Sequence, residues 1–153
     1  MFNIDAYAAI TGQNTIDELY FLAGQLQGKV IQHINSTAVG GGVAEILNRM
    51  VPMLRQLGVD VRWDVIKGNE RFFVITKNMH NALHGAEAHL SREDLQFFVE
   101  VNQENAREMS FSNDIVFVHD PQPIGLVAKR KEVGKKWIWR CHIDFTEPDM
   151  AML

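Results

Sequence analysis

The fold of this chain is decided by the sequence KVIQHIN-STAVGGG-VAEIL, which occupies residues 29–47. The apolar, β-branched run at residues 29–35 predicts a buried strand, and residues 43–57, which stop before Gly58, follow helical spacing. The loop between them ends in three glycines, at positions 40–42. A helix start exposes unpaired N–H groups at the positive end of its dipole, and glycines let a ligand approach the backbone. The stretch therefore predicts an α/β fold with a place for a phosphorylated or sugar-nucleotide ligand.

Strands and helices alternate along the rest of the chain. Periodicity predicts further strands at residues 59–66, 113–118 and 136–143, and helices at 70–84, 92–109 and near 125–131. Ser91 followed by Asp94 is typical of a helix start, and residues 1–27 predict a helical N-terminal extension. This alternation predicts a single Rossmann-like domain over residues 1–153, doubly wound, with a mostly parallel sheet and helices on both faces.

Composition excludes several classes of protein. The 153 residues fit one domain, and 46% hydrophobic with 22% charged residues is ordinary for a soluble globular protein. A net charge of −4 gives no general attraction to nucleic acid or to an anionic membrane. One cysteine, Cys141, excludes an intrachain disulfide framework, and neither a signal-peptide pattern nor a run of roughly 18 apolar residues is present. We expect a cytoplasmic domain that binds neither nucleic acid nor membrane.

Unusual polar residues follow three of the predicted strands. The glycine loop follows the first strand, HDPQ at residues 119–122 follows the third, and RCHID at residues 140–144 ends the fourth. Ligands of parallel α/β sheets bind beyond the carboxyl ends of the strands. We therefore expect these three segments to border one opening.

Each signal also has an interpretation without a ligand. The glycines would serve a tight strand-to-helix turn, although one or two suffice for that. The segment at residues 119–123 would be a turn whose prolines end the strand, and here we leave both interpretations open. The fourth strand is expected to be buried on both sides, so Arg140 and His142 must be paired or face a cavity, and Asp144 is a candidate partner. We favour ligand contact for the glycines and for Arg140 and His142.

Two further ligand classes are disfavoured. Gly40 and Gly42 begin a dinucleotide-binding pattern, but Glu45 stands where its third glycine belongs, and no P-loop Lys-Ser/Thr pair follows. Metal-ligand spacings such as His-Glu-x-x-His or Cys-x-x-Cys are missing. We expect no metal and no cofactor. Ordinary core or surface roles are expected for the scattered histidines His33, His80, His84 and His89.

The same segments carry a resemblance to a known family. VGGGVAEIL at 39–47, HDPQ at 119–122 and WRCHID at 139–144 resemble the N-terminal half of trehalose synthases of the glycosyltransferring type. The resemblance runs from about residue 26 to residue 148 and includes VPMLRQLG at 51–58. Trehalose synthases, and the similar trehalose phosphorylases, are retaining glycosyltransferases with the two-domain GT-B fold. The resemblance implies an N-terminal GT-B domain whose enzyme moves glucose from a nucleotide-glucose donor to glucose, which yields trehalose.

The resemblance also implies roles for individual residues. Gly40, Gly41 and Gly42 would approach the diphosphate or sugar of the donor. His142 matches a histidine that lies beside the donor sugar, which makes it the implied catalytic residue. The implied contacts with acceptor hydroxyls are Asp120, Gln122, Arg140 and Asp144.

The family continues into a second Rossmann-like domain with the nucleotide pocket, whereas this sequence ends at Leu153. We therefore expect a truncated or split half, whose partners are nucleotide-glucose, glucose or trehalose, and a C-terminal half or further copies of itself. Three hypotheses stay open. The chain is the acceptor-side half of an enzyme, a stand-alone module that binds a sugar or sugar phosphate, or an inactive remnant that self-associates.

Overall fold

A parallel four-stranded sheet forms the centre of the computed structural model, which describes residues 3–144 and 146–150. Its strands lie in the order β2-β1-β3-β4, and every neighbouring pair is parallel. The strands are β1 (Val30–Asn35), β2 (Asp60–Val65), β3 (Ile115–His119) and β4 (Lys136–Arg140). The predicted parallel sheet is confirmed.

The helices follow the predicted order. They are α1 (Ala8–Thr11), α2 (Gln13–Gly24), α3 (Gly42–Gln56), α4 (Glu70–Leu83), α5 (Arg92–Glu108) and α6 (Arg130–Val133), with 3-10 helices at Asp5–Tyr7 and Ile124–Lys129. The predicted start of α5 is confirmed as a capping box, in which Ser91 accepts from the Asp94 N–H at 3.1 Å. The predicted N-terminal extension is interrupted by Gly12, whose φ of 85° separates α1 from α2. Residues 1 and 2 of that extension lie outside the described part of the chain.

Helices cover both faces of the sheet. Side chains alternate along each strand, so each face has its own apolar side chains to bury. One face packs against α4 and α5, through Ile34, Phe72, Ile75, Phe98, Val101, Val116 and Val118. The other face packs against α2 and the end of α3, through Ile16, Ala23, Ile31, Leu57 and Val59. Two separate cores on opposite faces confirm the Rossmann-like class.

The fourth strand differs from its prediction. It ends at Arg140 instead of residue 143, and its expected burial on both sides is wrong, since Ile138 and Trp139 are 43% and 45% exposed. The reason is position, because β4 lies at the edge of the described sheet beside β3. Arg140 is exposed too, so its charge needs no buried partner.

Two buried histidines belong to the sheet. His33 on β1 and His119 on β3 are 3% and 1% exposed, and their rings stack with that of Phe117 on the same face. Burial lowers the pKa of His33 to about 4. Burial, together with nearby His33, His142 and Arg140, lowers the pKa of His119 to about 3. Both imidazoles are therefore neutral near pH 7.

A buried asparagine fastens the loop after β2 to α5. Asn105 donates to the carbonyls of Lys67 and Val101 at 2.8 and 2.9 Å and accepts from the Lys67 N–H at 2.7 Å. Asn105→Ala removes all three bonds, so we expect the free energy of unfolding to fall by about 2 kcal/mol in urea titrations. Gln103→Ala, on the exposed side of the same helix, is the matched control and should change it by less than about 0.5 kcal/mol. Equal losses in the two variants would contradict this assignment.

The buried histidines predict how stability depends on pH. An unfolded histidine binds a proton near pH 6.5, whereas folded His33 and His119 bind one only at about pH 4 and about pH 3. The unfolded state therefore takes up more protons as pH falls below about 6.5, and the free energy of unfolding must decrease from there toward about pH 4. Urea midpoints measured between about pH 7 and about pH 5 check this, and a flat profile would refute it. Replacing the exposed His89 with alanine should leave the slope unchanged.

Candidate functional site

The strand order opens a crevice between β1 and β3. The chain leaves β1 through the glycine loop and α3 toward β2, whereas it leaves β3 in the opposite direction, toward β4. Connections that diverge from neighbouring parallel strands leave an opening at their carboxyl ends, which is where such sheets bind ligands. A cleft of about 530 Å³ lies at this point. The fold itself therefore provides the site.

Six of the eight predicted site residues line this cleft. They are Gly40, Gly41, Gly42, Asp120, Gln122 and His142. The glycine loop and the segment that follows β3 therefore border one opening, as expected.

The other two predicted residues, Arg140 and Asp144, are exposed and do not line the cleft. Asp144 accepts hydrogen bonds from the backbone N–H and the hydroxyl of Thr146. Among the described residues no ion pair joins Arg140 to Asp144. Their contact with an acceptor sugar stays a prediction.

The glycine loop presents bare backbone to the cleft. Gly40 and Gly41 have φ values of 72° and 89°, a conformation that side chains disfavour. Gly41 caps α3 without a side-chain hydrogen bond, so the N–H groups of the first turn keep their donor capacity. Gly42 has an ordinary φ, and a Cβ there would meet no atom within 4 Å. Neither backbone strain nor packing requires glycine at position 42, and the open space beside it is available to a ligand.

Side chains of β1 and α3 hold this loop in place. Asn35, at the end of β1, accepts from the indole N–H of Trp63 at 2.8 Å and donates to the carbonyl of Thr37 at 2.6 Å. The Thr37 hydroxyl closes a turn on the backbone two residues later, and Asn48 donates to the Ala38 carbonyl at 3.3 Å. Asn35 was not among the site residues predicted from the sequence, although a polar residue that ends an apolar strand is a usable signal.

Asp120 ties the end of β3 to the end of β4. Its φ of 65° is left-handed, which costs a non-glycine residue about 1 kcal/mol. Its backbone N–H donates to the Arg140 carbonyl at 2.9 Å, and its carbonyl accepts from the Trp139 indole at 2.9 Å. The carboxylate oxygen Oδ1 accepts from the backbone N–H of His142 at 2.8 Å. Asp120 was predicted to contact the acceptor sugar, and one of its two carboxylate oxygens holds the backbone of His142 in place.

A row of three imidazoles connects the core to the cleft. His33 Nδ1 lies 3.0 Å from His119 Nε2, and His119 Nδ1 lies 3.2 Å from His142 Nε2. The ring centroids are 5.3 and 5.5 Å apart, and the ring planes are inclined by 27° and 23°. The parallel register places residues 33 and 117 side by side, so His33 and His119 share one face. His142 was predicted from the sequence as a site residue, whereas His33 was expected to be an ordinary core or surface histidine.

A further residue of the cleft comes from α4. His80, which was expected to have an ordinary core or surface role, is among the residues that line the cleft. It follows the buried Phe72 and Thr76 at helical spacing, which was the available signal. The side-chain carbonyl of Gln122 is buried and has no partner within residues 3–144 and 146–150. Helix N–H groups, imidazoles and amides converge here, a set that suits an anionic ligand rich in hydroxyl groups.

A larger groove of about 800 Å³ lies between the N-terminal helices and α3. Its walls are mainly apolar and include Ile4, Ile16, Leu19, Met50 and Met53. Gly42 and Ile46 line both cavities, so the groove adjoins the cleft. It has fewer groups that could orient a sugar, and the polar cleft is the better candidate site.

Between residues 3 and 150, with position 145 left aside, no three His, Cys, Asp or Glu side chains are grouped to bind a metal ion. In that same part of the chain, the helices are too short or too polar to span a lipid bilayer.

Comparisons with known proteins agree with the resemblance. A family model described as "Trehalose synthase, N-terminal domain" matches residues 33–153. The trehalose synthase of Rubrobacter xylanophilus is 45% identical over 153 residues, which cover 96% of this chain and 36% of that protein. The trehalose synthase of Pyrococcus horikoshii is 43% identical over 148 residues, 95% of this chain and 35% of its own length.

A trehalose phosphorylase from Pleurotus pulmonarius is more distant, at 30% identity over 157 residues, 93% of this chain and 21% of that protein. The chain spans about a third of the length of the trehalose synthases it matches. Because the family model covers residues 33–153, the resemblance rests on most of the chain and not on isolated motifs. The chain belongs to the family of trehalose synthase N-terminal domains.

Proposed function

We propose that this domain is the acceptor-side half of a retaining glycosyltransferase. The proposed enzyme transfers glucose from a nucleotide-glucose donor to glucose and so forms trehalose. The observation that carries the proposal is the cleft at the β1–β3 switch, where the glycine loop, Asp120, Gln122 and His142 face one opening. Family membership supports the same chemistry.

The glycine loop is suited to the phosphate side of the donor. When the glycosidic bond of a nucleotide sugar breaks, negative charge develops on the leaving diphosphate. The N–H groups and the positive dipole end of α3 favour that charge, and they are preorganised because the side chains of Asn35, Thr37 and Asn48 hold the loop. Gly42 leaves room for an oxygen atom to reach the backbone.

The opposite wall is suited to sugar hydroxyls. Gln122 brings a buried side-chain carbonyl that has no partner among the described residues, and His80 and His142 bring imidazoles to the same cleft. Gln122 and His80 can hold an acceptor sugar beside the donor sugar, so that the attacking hydroxyl is already oriented. His142 is the proposed contact to the donor sugar.

The proposal assigns the nucleotide pocket to the part of the relatives that this chain does not span. The cleft described here would then hold the sugars and the phosphate side of the donor, and the nucleoside would contact the C-terminal part. We propose that the chain by itself binds ligand without turnover and becomes active with a complementary C-terminal half.

Gly42→Ala tests the approach of a ligand to the backbone. The added methyl group meets no protein atom, and alanine favours the first turn of a helix, so the melting temperature should not fall. We expect binding of ADP-glucose or UDP-glucose to weaken by at least about tenfold in calorimetric titrations. The matched control is Gly24→Ala in α2, where a Cβ also finds open space, and it should bind like the unchanged chain. Unweakened binding by Gly42→Ala would refute the role of the loop.

A complementation assay tests the proposed activity. The chain is mixed with the separately expressed remaining part of the Rubrobacter xylanophilus trehalose synthase, and trehalose is measured after addition of nucleotide-glucose and glucose. We expect product only when both parts are present, and much less with His142→Ala. The matching N-terminal part of the Rubrobacter protein serves as the positive control. Saturable glucose binding without product would instead favour a binding module, and neither binding nor product would favour an inactive remnant.

A further inference from the structure

In the row of three imidazoles, each ring donates a hydrogen bond to the next, starting from the buried His33. We propose that His33 and His119 are positioning residues that fix the tautomer of His142, so that His142 carries its proton on Nδ1 and accepts a hydrogen bond at Nε2. The assignment of the tautomer rests on the ring contacts and on the burial of His33 and His119, and it does not depend on the proposed function. The effect of this tautomer on ligand binding rests on the proposed function.

The direction of donation along the row is set by His33, at its buried end. His33 Nε2 is buried and has no hydrogen-bond partner among the described residues. An unpaired buried N–H is rarer in proteins than an unpaired buried acceptor, so the proton of the neutral ring belongs on the other nitrogen. His33 Nδ1 then donates to His119 Nε2 across 3.0 Å.

His119 accepts a hydrogen bond from His33 and donates one to His142. It is 1% exposed, and the ionisable groups that affect it are His33, His142 and Arg140, none of which can neutralise an imidazolium. The ring therefore has a single N–H. Because its Nε2 accepts from His33, that N–H is at Nδ1, from which it donates to His142 Nε2 across 3.2 Å.

His142 therefore accepts a hydrogen bond from His119 at Nε2 and carries its own proton on Nδ1. Asp120 holds the backbone of His142 in register by accepting its N–H at 2.8 Å. His142 Nδ1 has no partner in the described part of the chain, so it is the ring nitrogen left for a ligand in the cleft. His142 then acts toward that ligand as a donor, which suits a hydroxyl or phosphate oxygen.

The opposite tautomer would require a change at all three rings. If His142 carried its proton on Nε2, it would donate to His119, and His119 would donate to His33. His33 would then hold an N–H at its buried Nε2 without a partner. The core therefore biases the chemistry of a residue at the surface of the cleft.

Nitrogen NMR of the unmodified chain tests the proposal directly. With ¹⁵N-labelled histidine, long-range ¹H–¹⁵N spectra distinguish a protonated from an unprotonated nitrogen at each ring position. Near pH 7 and without ligand, we expect His142 to be protonated at Nδ1 and unprotonated at Nε2, with a preference of at least about tenfold. Observation of the Nε2-protonated form, or of an even mixture, would overturn the proposal. This result does not depend on whether the chain binds a sugar.

Substitutions separate positioning from simple packing. His119→Asn keeps an amide near the Nδ1 position, which can donate or accept, so we expect His142 to lose its preference although a contact remains. His33→Leu removes the donor at the buried end and should have the same effect through His119. His89→Ala, at an exposed histidine, is the control and should leave the His142 spectrum unchanged. An unchanged His142 tautomer in both His119→Asn and His33→Leu would contradict a positioning role, and if neither variant folds, the spectrum of the unmodified chain still decides.

Discussion

The parallel pairing of β1 with β3 is the constraint on which the rest of the structure depends. These two strands are neighbours in the sheet, but their connections leave in opposite directions and over opposite faces. The pairing therefore brings the glycine loop and the segment around Asp120 to the two sides of one cleft. It also places His33 and His119 on one face, where their rings reach His142. The candidate site and the row of three imidazoles both follow from one strand pair.

Much of this could be predicted from the sequence, because local signals agreed with one another. An apolar strand, three glycines and an amphipathic helix in succession define the order of the elements around β1, and Ser91 marks the start of α5. The rule that ligands bind at the carboxyl ends of parallel strands then placed Asp120 and His142 at the same opening. Periodicity within each segment was sufficient for these predictions, because they required only where each strand ends and that the strands are parallel.

The remaining features depend on distances between segments that periodicity does not encode. The exposure of Trp139 follows from the edge position of β4, and strand order is not visible in the pattern of a single strand. Because the edge position of β4 is not visible in its sequence, Arg140 was also expected to be buried. The roles of His33 and His80 required the register of β1 with β3 and the path of α4. A histidine on an apolar face looks the same in sequence whether or not another histidine lies 3 Å away.

The central claim is that the cleft between β1 and β3 holds a nucleotide sugar and its acceptor. Backbone amide shifts of the ¹⁵N-labelled chain, recorded while a nucleotide-glucose and glucose are added together, test it most directly. The account predicts saturable shifts concentrated at Gly40, Gly41, Gly42 and His142. Shifts confined to the apolar groove beside Ile16 and Met53, or no shifts with either sugar, would contradict it.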